Sequence, residues 1–244
     1  MISLIIPTYN EAAHLTVTLN SITRSRAKKE VIVVDAGSSD GTRCIAEKAN
    51  HSVVLSPQRQ RAFQMNLGAQ YATGGVLLFL HADTVLPDSA LDQIESFLVQ
   101  PEIVGGGFKR RYDSTSWFLK TTCFLSGLRT QSIGWFLGDQ AIFVRQQTFE
   151  DLGGFRNLDL FEDLDFSRRM AQTGRVITLS PPVICSPRRF RVRGEVLTTL
   201  SDFWLTCGYL LGADQRTLTE AHRTFFKENS RRGDLGMRKP IAKS

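Results

Sequence analysis

Short, nearly unbroken apolar runs recur along the first hundred positions: Ser3–Pro7, Val31–Asp35, Ser52–Leu55 and Val76–Asp83. Between them lie stretches with helical spacing. Glu11–Arg26 repeats Leu15, Leu19 and Ile22, and Thr42–Ala49 and Gln60–Ala72 read as further helices. Continuous apolar strands separated by amphipathic helices predict an α/β fold, a doubly wound, mostly parallel sheet with helices on both faces. Such sheets bind ligands beyond the carboxyl ends of their strands. Here those ends carry Thr8-Tyr9-Asn10-Glu11, Asp35 and His81-Ala82-Asp83, which should converge on one crevice.

The second half is less regular. Ser89–Val99 is a predicted helix with Leu91, Ile94, Phe97 and Leu98 on one face. Ile103–Arg111 reads as a strand carrying three glycines, where something approaches the backbone closely. Thr115–Leu128 reads as helix, Ala141–Arg145 and Val176–Ser180 as strands, and Leu160–Thr173 contains a short acidic helix. Val196–Leu211 gathers Val196, Leu200, Phe203, Trp204, Cys207 and Leu211 on one helical side, expected to pack on the domain. The alternative is a helix lying in a membrane interface.

Composition narrows the class. At 244 residues, 42% hydrophobic and 22% charged, the chain is neither collagen-like, coiled-coil nor disordered. Its longest apolar run falls far short of the roughly 20 residues of a membrane-spanning helix. The opening Met-Ile-Ser-Leu-Ile-Ile lacks a basic lead and a cleavage site, so no signal peptide is expected. Net charge is +6, but Lys227–Ser244 alone holds six basic residues against two acidic ones. That leaves a body near neutral and a basic, mobile tail, a charge balance that does not call for nucleic acid. The four cysteines are scattered without any C-x-x-C pair, as expected for reduced, mostly buried thiols in a cytoplasmic protein.

Each polar cluster has two readings. Asp35 either caps the turn that follows it or grips a base or ribose. Tyr9 either stacks on a base or fills a gap. Arg61 sits near the start of its helix, the unfavourable end for a cation, and therefore suits an anion such as phosphate. Asp83 follows an apolar strand, where a carboxylate needs water, a cation or a metal. Glu162, Asp163 and Asp165 crowd the start of a helix ahead of Arg168 and Arg169. Ion pairing accounts for Asp165, whereas adjacent carboxylates at 162 and 163 have raised pKa values, as a general base requires.

Taken in order, these segments strongly resemble family 2 glycosyltransferases. The matching pieces are Ile5-Ile6-Pro7-Thr8-Tyr9-Asn10-Glu11, Val33-Val34-Asp35-Ala36-Gly37-Ser38-Ser39-Asp40-Gly41-Thr42 and Arg61 through Asn66-Leu67-Gly68-Ala69. Leu80-His81-Ala82-Asp83, Gly153-Gly154-Phe155 and Glu162-Asp163-Leu164-Asp165 continue the match, over residues 1–180 in all. The resemblance implies a GT-A fold and an inverting, metal-dependent, non-processive transfer of a sugar from a UDP- or GDP-linked donor to an acceptor hydroxyl. It places Pro7, Thr8, Tyr9, Glu11, Asp35, Arg61, His81, Asp83 and Arg189 at the nucleotide-sugar. Gly138 and Asp139 fall on the acceptor side. Asp83 would ligate Mg2+ or Mn2+, and Asp163, with Glu162, would serve as catalytic base.

The implied organisation is one domain over 1–226. Residues 1–100 bind nucleotide, 101–195 form the acceptor and catalytic half, 196–226 add C-terminal helices, and 227–244 form the tail. The acceptor could be lipid-linked, with peripheral contact at the inner face of a membrane. Two departures stand out. His81 replaces the first Asp of the family's D-x-D, which motivates a competing reading as a catalytically silent nucleotide-sugar binder. Ser186-Pro187-Arg188-Arg189-Phe190 lacks the Gln and Trp of the Q-x-x-R-W motif of processive members.

Overall fold

The computed structural model describes residues 1–236, with side chains through Phe225. In chain order the first part runs β1 (Ile2–Thr8), α1 (Ala12–Thr23), β2 (Lys29–Asp35), α2 (Thr42–Lys48), β3 (Ser52–Leu55), α3 (Arg61–Gln70), β4 (Val76–Phe79) and β5 (Thr84–Val85). Then come α4 (Ala90–Phe97), β6 (Ile103–Tyr112), α5 (Trp117–Ile133), a 3-10 turn at Gly138–Gln140, β7 (Ile142–Arg145), α6 (Gln146–Asp151), α7 (Glu162–Thr173) and β8 (Arg175–Cys185). Three helices follow: α8 (Arg188–Arg193), α9 (Glu195–Leu210) and α10 (Gln215–Gly236).

All eight strands form one sheet in the order β3-β2-β1-β4-β7-β6-β8-β5. β3, β2, β1 and β4 are parallel, as their continuous apolar runs predict, because crossover helices bury both faces. β7 runs antiparallel between β4 and β6, and β6 pairs parallel with β8. The three glycines of β6 are explained by this packing. A Cβ at Gly105 would strike Phe143 O, one at Gly106 Ile177 O, and one at Gly107 would lie 2.6 Å from Phe136 Cδ1. The close approach is thus by the protein itself.

The core beside β1 and β4 includes Ile5, Val34, Leu77 and Ile142, and extends into Phe79, Phe149, Phe155 and Phe166. Phe155 and Phe166 lie 4.5 Å apart between centroids, and Phe79 meets Phe155 edge-on at 4.7 Å. Burial of four aromatic rings, each worth about 2–3 kcal/mol, fixes α7 through Phe166 and so holds its N-terminal turn beside the sheet.

Contacts divide the chain into Met1–Leu158 with Glu162–Ser186, and Asp159–Phe161 with the chain from Pro187 onward. In the second unit α9 departs from expectation. It buries Thr198, Ser201 and Leu205, and leaves Val196, Leu200, Phe203, Trp204 and Leu211 exposed. The predicted strand Val76–Asp83 is also shorter, ending at Phe79. Leu80 N still donates to Ile5 O, but His81-Ala82-Asp83 then turns, with Thr84 N bonded to His81 O and Thr18 Oγ1 bonded to Ala82 O. α6 and α8 have no counterpart among the predicted elements, whereas α10 falls largely in the stretch 196–226 expected to hold C-terminal helices. The segment expected as a tail begins, on the backbone, within α10; residues 237–244 lie outside the described residues. Of the cysteines only Cys185 is buried; Cys44 is exposed, so the expectation of mostly buried thiols does not hold.

Candidate active site

The loops after β1 and β2 are stitched together by the polar residues of their motifs. Asn10 N donates to Ser38 Oγ at 2.8 Å, Ser39 N to Asn10 Oδ1 at 2.9 Å, Glu11 N to Thr42 Oγ1 at 2.9 Å and Ala12 N to Asp40 Oδ2 at 3.0 Å. Asn10 takes φ of 54°, a left-handed conformation Asn tolerates. Asp35 is fully buried. Its oxygens accept from Thr8 Oγ1 at 3.0 Å, Gly37 N at 3.1 Å, Ser38 N at 2.9 Å and Ser38 Oγ. Four bonds use the acceptor capacity of a carboxylate. These bonds are those of the turn-capping reading of Asp35.

Pro7 lies opposite Val34 and Thr8 ends the paired part of β1 opposite Asp35, and Tyr9 stands just beyond with the Arg59 guanidinium 3.5 Å over its ring. Gln64 Nε2 donates to Thr8 O at 2.9 Å and Val34 O at 2.8 Å, which anchors α3 across both strand ends. Gly68 brings the same helix close, since a Cβ there would lie 2.5 Å from Ile5 Cγ2. Two residues before Gly68, Asn66 closes a two-bond clamp on Phe155, through Oδ1 to its N–H at 2.9 Å and Nδ2 to its O at 2.8 Å. Arg61, at the start of α3, reaches Glu162 Oε1 at 3.2 Å. The carboxylates of Glu162, Asp163 and Asp83 all act on its charge.

Glu162 and Asp163 open α7, whose N-terminus attracts negative charge. Burial works against ionisation. It pushes the Glu162 carboxyl up to about 7 against the opposing pull of Arg61. Asp163 is likewise raised by burial, while backbone hydrogen bonds resist the shift. Those bonds come from Gly138 N to Oδ2 at 2.5 Å and Leu164 N to Oδ1 at 2.6 Å. A Cβ on Gly138 would lie 2.5 Å from His81 Nε2 and 3.0 Å from Asp163 Oδ2, so His81, Gly138 and Asp163 surround one point. Asp165 turns elsewhere. It pairs with Arg169 Nε at 2.8 Å and Arg156 at 3.1 Å, and Arg169 also donates to Leu152 O and Gly154 O. Arg168 lies over Trp135.

Asp83 follows the turn at His81, with its carbonyl accepting from Ser186 N at 3.1 Å. Among the described residues no group of three or more His, Cys, Asp or Glu could hold a metal ion. The donor chemistry at Asp83 fits a hard divalent cation only if further oxygens come with it, as from a diphosphate; magnesium sites beside phosphates need one or two carboxylates.

Asp139, expected on the acceptor side, is held by Arg110 Nη1, at 2.6 Å to Oδ2 and 2.7 Å to Oδ1, and by Tyr112 OH at 3.0 Å. Burial raises the Asp139 pKa, but Arg110 outweighs it and holds the carboxyl below its usual range. Arg129 donates to Gln140 Oε1 and Trp135 O on the same turn. Arg59, Gln64, Arg110, Tyr112 and Arg129 had escaped the sequence analysis. Phe108, Arg110 and Tyr112 alternate along β6, and this period of two was the available signal for Arg110 and Tyr112. Arg189 belongs to the second unit, where it pairs with Asp202 at 2.9 Å.

Comparison with known proteins places this geometry in context. The profile of glycosyl transferase family 2 matches residues 3–154. Glycosyltransferase AglE of Haloferax volcanii is 30% identical over 86% of this chain and 81% of its own length. The mannosyltransferase PcManGT of Pyrobaculum calidifontis, solved with GDP-Man and Mn2+, superposes with a TM-score of 0.66 at 22% identity, over 98% of this chain and 76% of that one. S. aureus TarS 1–349, solved with UDP-GlcNAc, gives 0.62 at 21% identity over 76% of this chain and 58% of that one. The chain is therefore a glycosyltransferase of family 2, with the mixed, mostly parallel α/β architecture of the GT-A fold.

Proposed function

We propose that this glycosyltransferase carries out a single inverting transfer from a UDP- or GDP-linked sugar to a hydroxyl of a lipid-linked acceptor, with a divalent metal, at the inner face of a membrane. The observation that carries the reading is the partly buried Asp163 carboxylate, held at both oxygens by backbone amides beside Glu162, Arg61 and His81.

In this mechanism Asp163 accepts the proton of the acceptor hydroxyl. The two amides fix its orientation, and burial makes it a stronger base than a solvated carboxylate. Glu162 is tied to Arg61, which leaves Asp163 as the base for one in-line displacement and hence inversion. Arg61 faces the diphosphate, and Tyr9 with Arg59 offers a flat cationic surface to the nucleotide. Thr8, Glu11 and Asp35 shape that end of the crevice through the stitched loops. Asp83 would hold Mg2+ or Mn2+, which would supply charge neutralisation beside the diphosphate. Gly138 and Asp139 line the acceptor side. The segment Ser186–Phe190, without Gln or Trp, supports single transfer. Among the described residues no helix is long and apolar enough to cross a membrane; in this reading the chain meets its lipid-linked acceptor by peripheral contact.

Thermal unfolding with UDP, GDP, CDP and dTDP, each with and without manganese, tests the donor side. A diphosphate at 100 times its Kd adds roughly 2.7 kcal/mol. One uridine or guanosine diphosphate should stabilise the protein, more so with manganese. Stabilisation by none of the four would overturn the reading.

A further inference from the structure

α5 is built against its own pattern. Its inward side consists of Leu119, Ser126 and Thr130, while Trp117, Phe124, Leu125 and Leu128 stand on the outer side with 75%, 67%, 57% and 46% of their surface exposed. Spacings of seven, one and three residues put these four on one stripe of the helix. Apolar side chains scattered singly over a surface are ordinary, but a continuous exposed stripe of four large ones is not.

Charge identifies the partner. From Ser114 to Gly138 there is no acidic residue, while Lys120 is exposed beside the stripe. A twofold pairing of the stripe with a second copy would bring the two Lys120 side chains together, with no acid on either helix to answer them. An anionic lipid surface answers both the apolar stripe and the cation. In the second unit α9 likewise turns Phe203 and Trp204 outward.

We infer that the outer face of α5 is a membrane-docking surface, whose aromatic and aliphatic side chains enter the interface of an anionic bilayer. The inner side of the same helix ends on the acceptor turn, through Arg129 to Gln140 Oε1 at 3.0 Å and to Trp135 O at 3.2 Å. Docking would therefore bring the acceptor side of the crevice to the depth at which the hydroxyl of a lipid-linked acceptor lies. This deepens the proposed function and rests on it for the acceptor, though the surface itself does not depend on the chemistry.

The test is co-sedimentation of the full chain with phosphatidylcholine vesicles containing 30% phosphatidylglycerol, beside pure phosphatidylcholine, for wild type, Phe124→Ser/Leu125→Ser and Lys120→Glu. Thermal unfolding with and without nucleoside diphosphate is recorded on each preparation, to show that each variant folds and to judge the donor site separately. The wild type should pellet with the anionic vesicles and release as salt rises. The double variant should bind at least tenfold more weakly, given what two large apolar side chains contribute, with an unchanged nucleotide response. Lys120→Glu should weaken anionic binding alone. A wild type that stays in the supernatant, or a folded double variant that pellets like wild type, overturns the inference. A wild-type dimer that the double variant splits also overturns it, by assigning the stripe to a protein partner. Vesicle binding without any nucleotide response would sink the donor reading and leave the surface standing.

Discussion

Gly138 N donates to Asp163 Oδ2 at 2.5 Å, and His81 Nε2 lies where a side chain at position 138 would begin. The base of the proposed reaction is thus oriented by a residue that must have no side chain, although its φ is not in the left-handed region. Gly138→Ala should displace His81 and tilt Asp163. We expect kcat to fall at least tenfold with donor binding retained, and stability to drop by about 1–3 kcal/mol from overpacking. Steady-state kinetics and nucleotide titration check this; unchanged kcat would mean the contact does not orient the base.

Glu162 makes stability depend on pH in a definite direction. Its folded pKa, about 7, lies above the ordinary 4.5, so the folded protein keeps a proton that the unfolded chain releases between these values. The contribution is full below about 4.5 and is lost as pH rises through 7. The ligand-free protein should therefore lose on the order of 2–3 kcal/mol from pH 5 to pH 8 through this group. Glu162→Gln should flatten that slope in urea unfolding. An equal slope in both proteins would assign it to other groups.

Arg110 and Asp139 form a largely buried ion pair, with side chains 13% and 22% exposed. Arg110→Met leaves a carboxylate among Tyr112 and the Cys185 thiol, and should cost roughly 3–5 kcal/mol. Arg110→Met/Asp139→Leu should recover much of that loss. Denaturant unfolding of both variants decides; a double variant as unstable as the single one would mean that packing, not charge, dominates.

Asn66→Ala removes both bonds to Phe155 and leaves a buried amide and carbonyl unmet. We expect a loss of about 2–4 kcal/mol, read as a lower urea midpoint at unchanged slope. A loss below about 0.5 kcal/mol would contradict the clamp.

Much of the first hundred residues is legible because strand and helix periods differ sharply there: Ser52–Leu55 and Thr42 as the start of α2 agree with the structure residue for residue. The motif residues are less transparent in role. Asn10, Ser38, Asp40 and Thr42 close the loops after β1 and β2 onto each other, and Asp35 spends hydrogen bonds on the turn after β2. Arg110 could not be placed from sequence because its partner Asp139 is 29 residues away and meets it only when the turn before β7 packs on β6. α9 misleads for a different reason. Periodicity locates an apolar face but does not say whether protein or another phase covers it, and here the buried side is Thr198, Ser201 and Leu205.

The most direct measurement is sugar transfer by wild type and Asp163→Asn under saturating donor, with nucleotide affinity measured on both. The account predicts a kcat loss of about 10²–10⁴-fold for Asp163→Asn, at nearly unchanged donor affinity. Transfer that survives the substitution within a factor of two or so would contradict the assignment of Asp163 as the base, and with it the mechanism built around Gly138, Glu162 and Arg61.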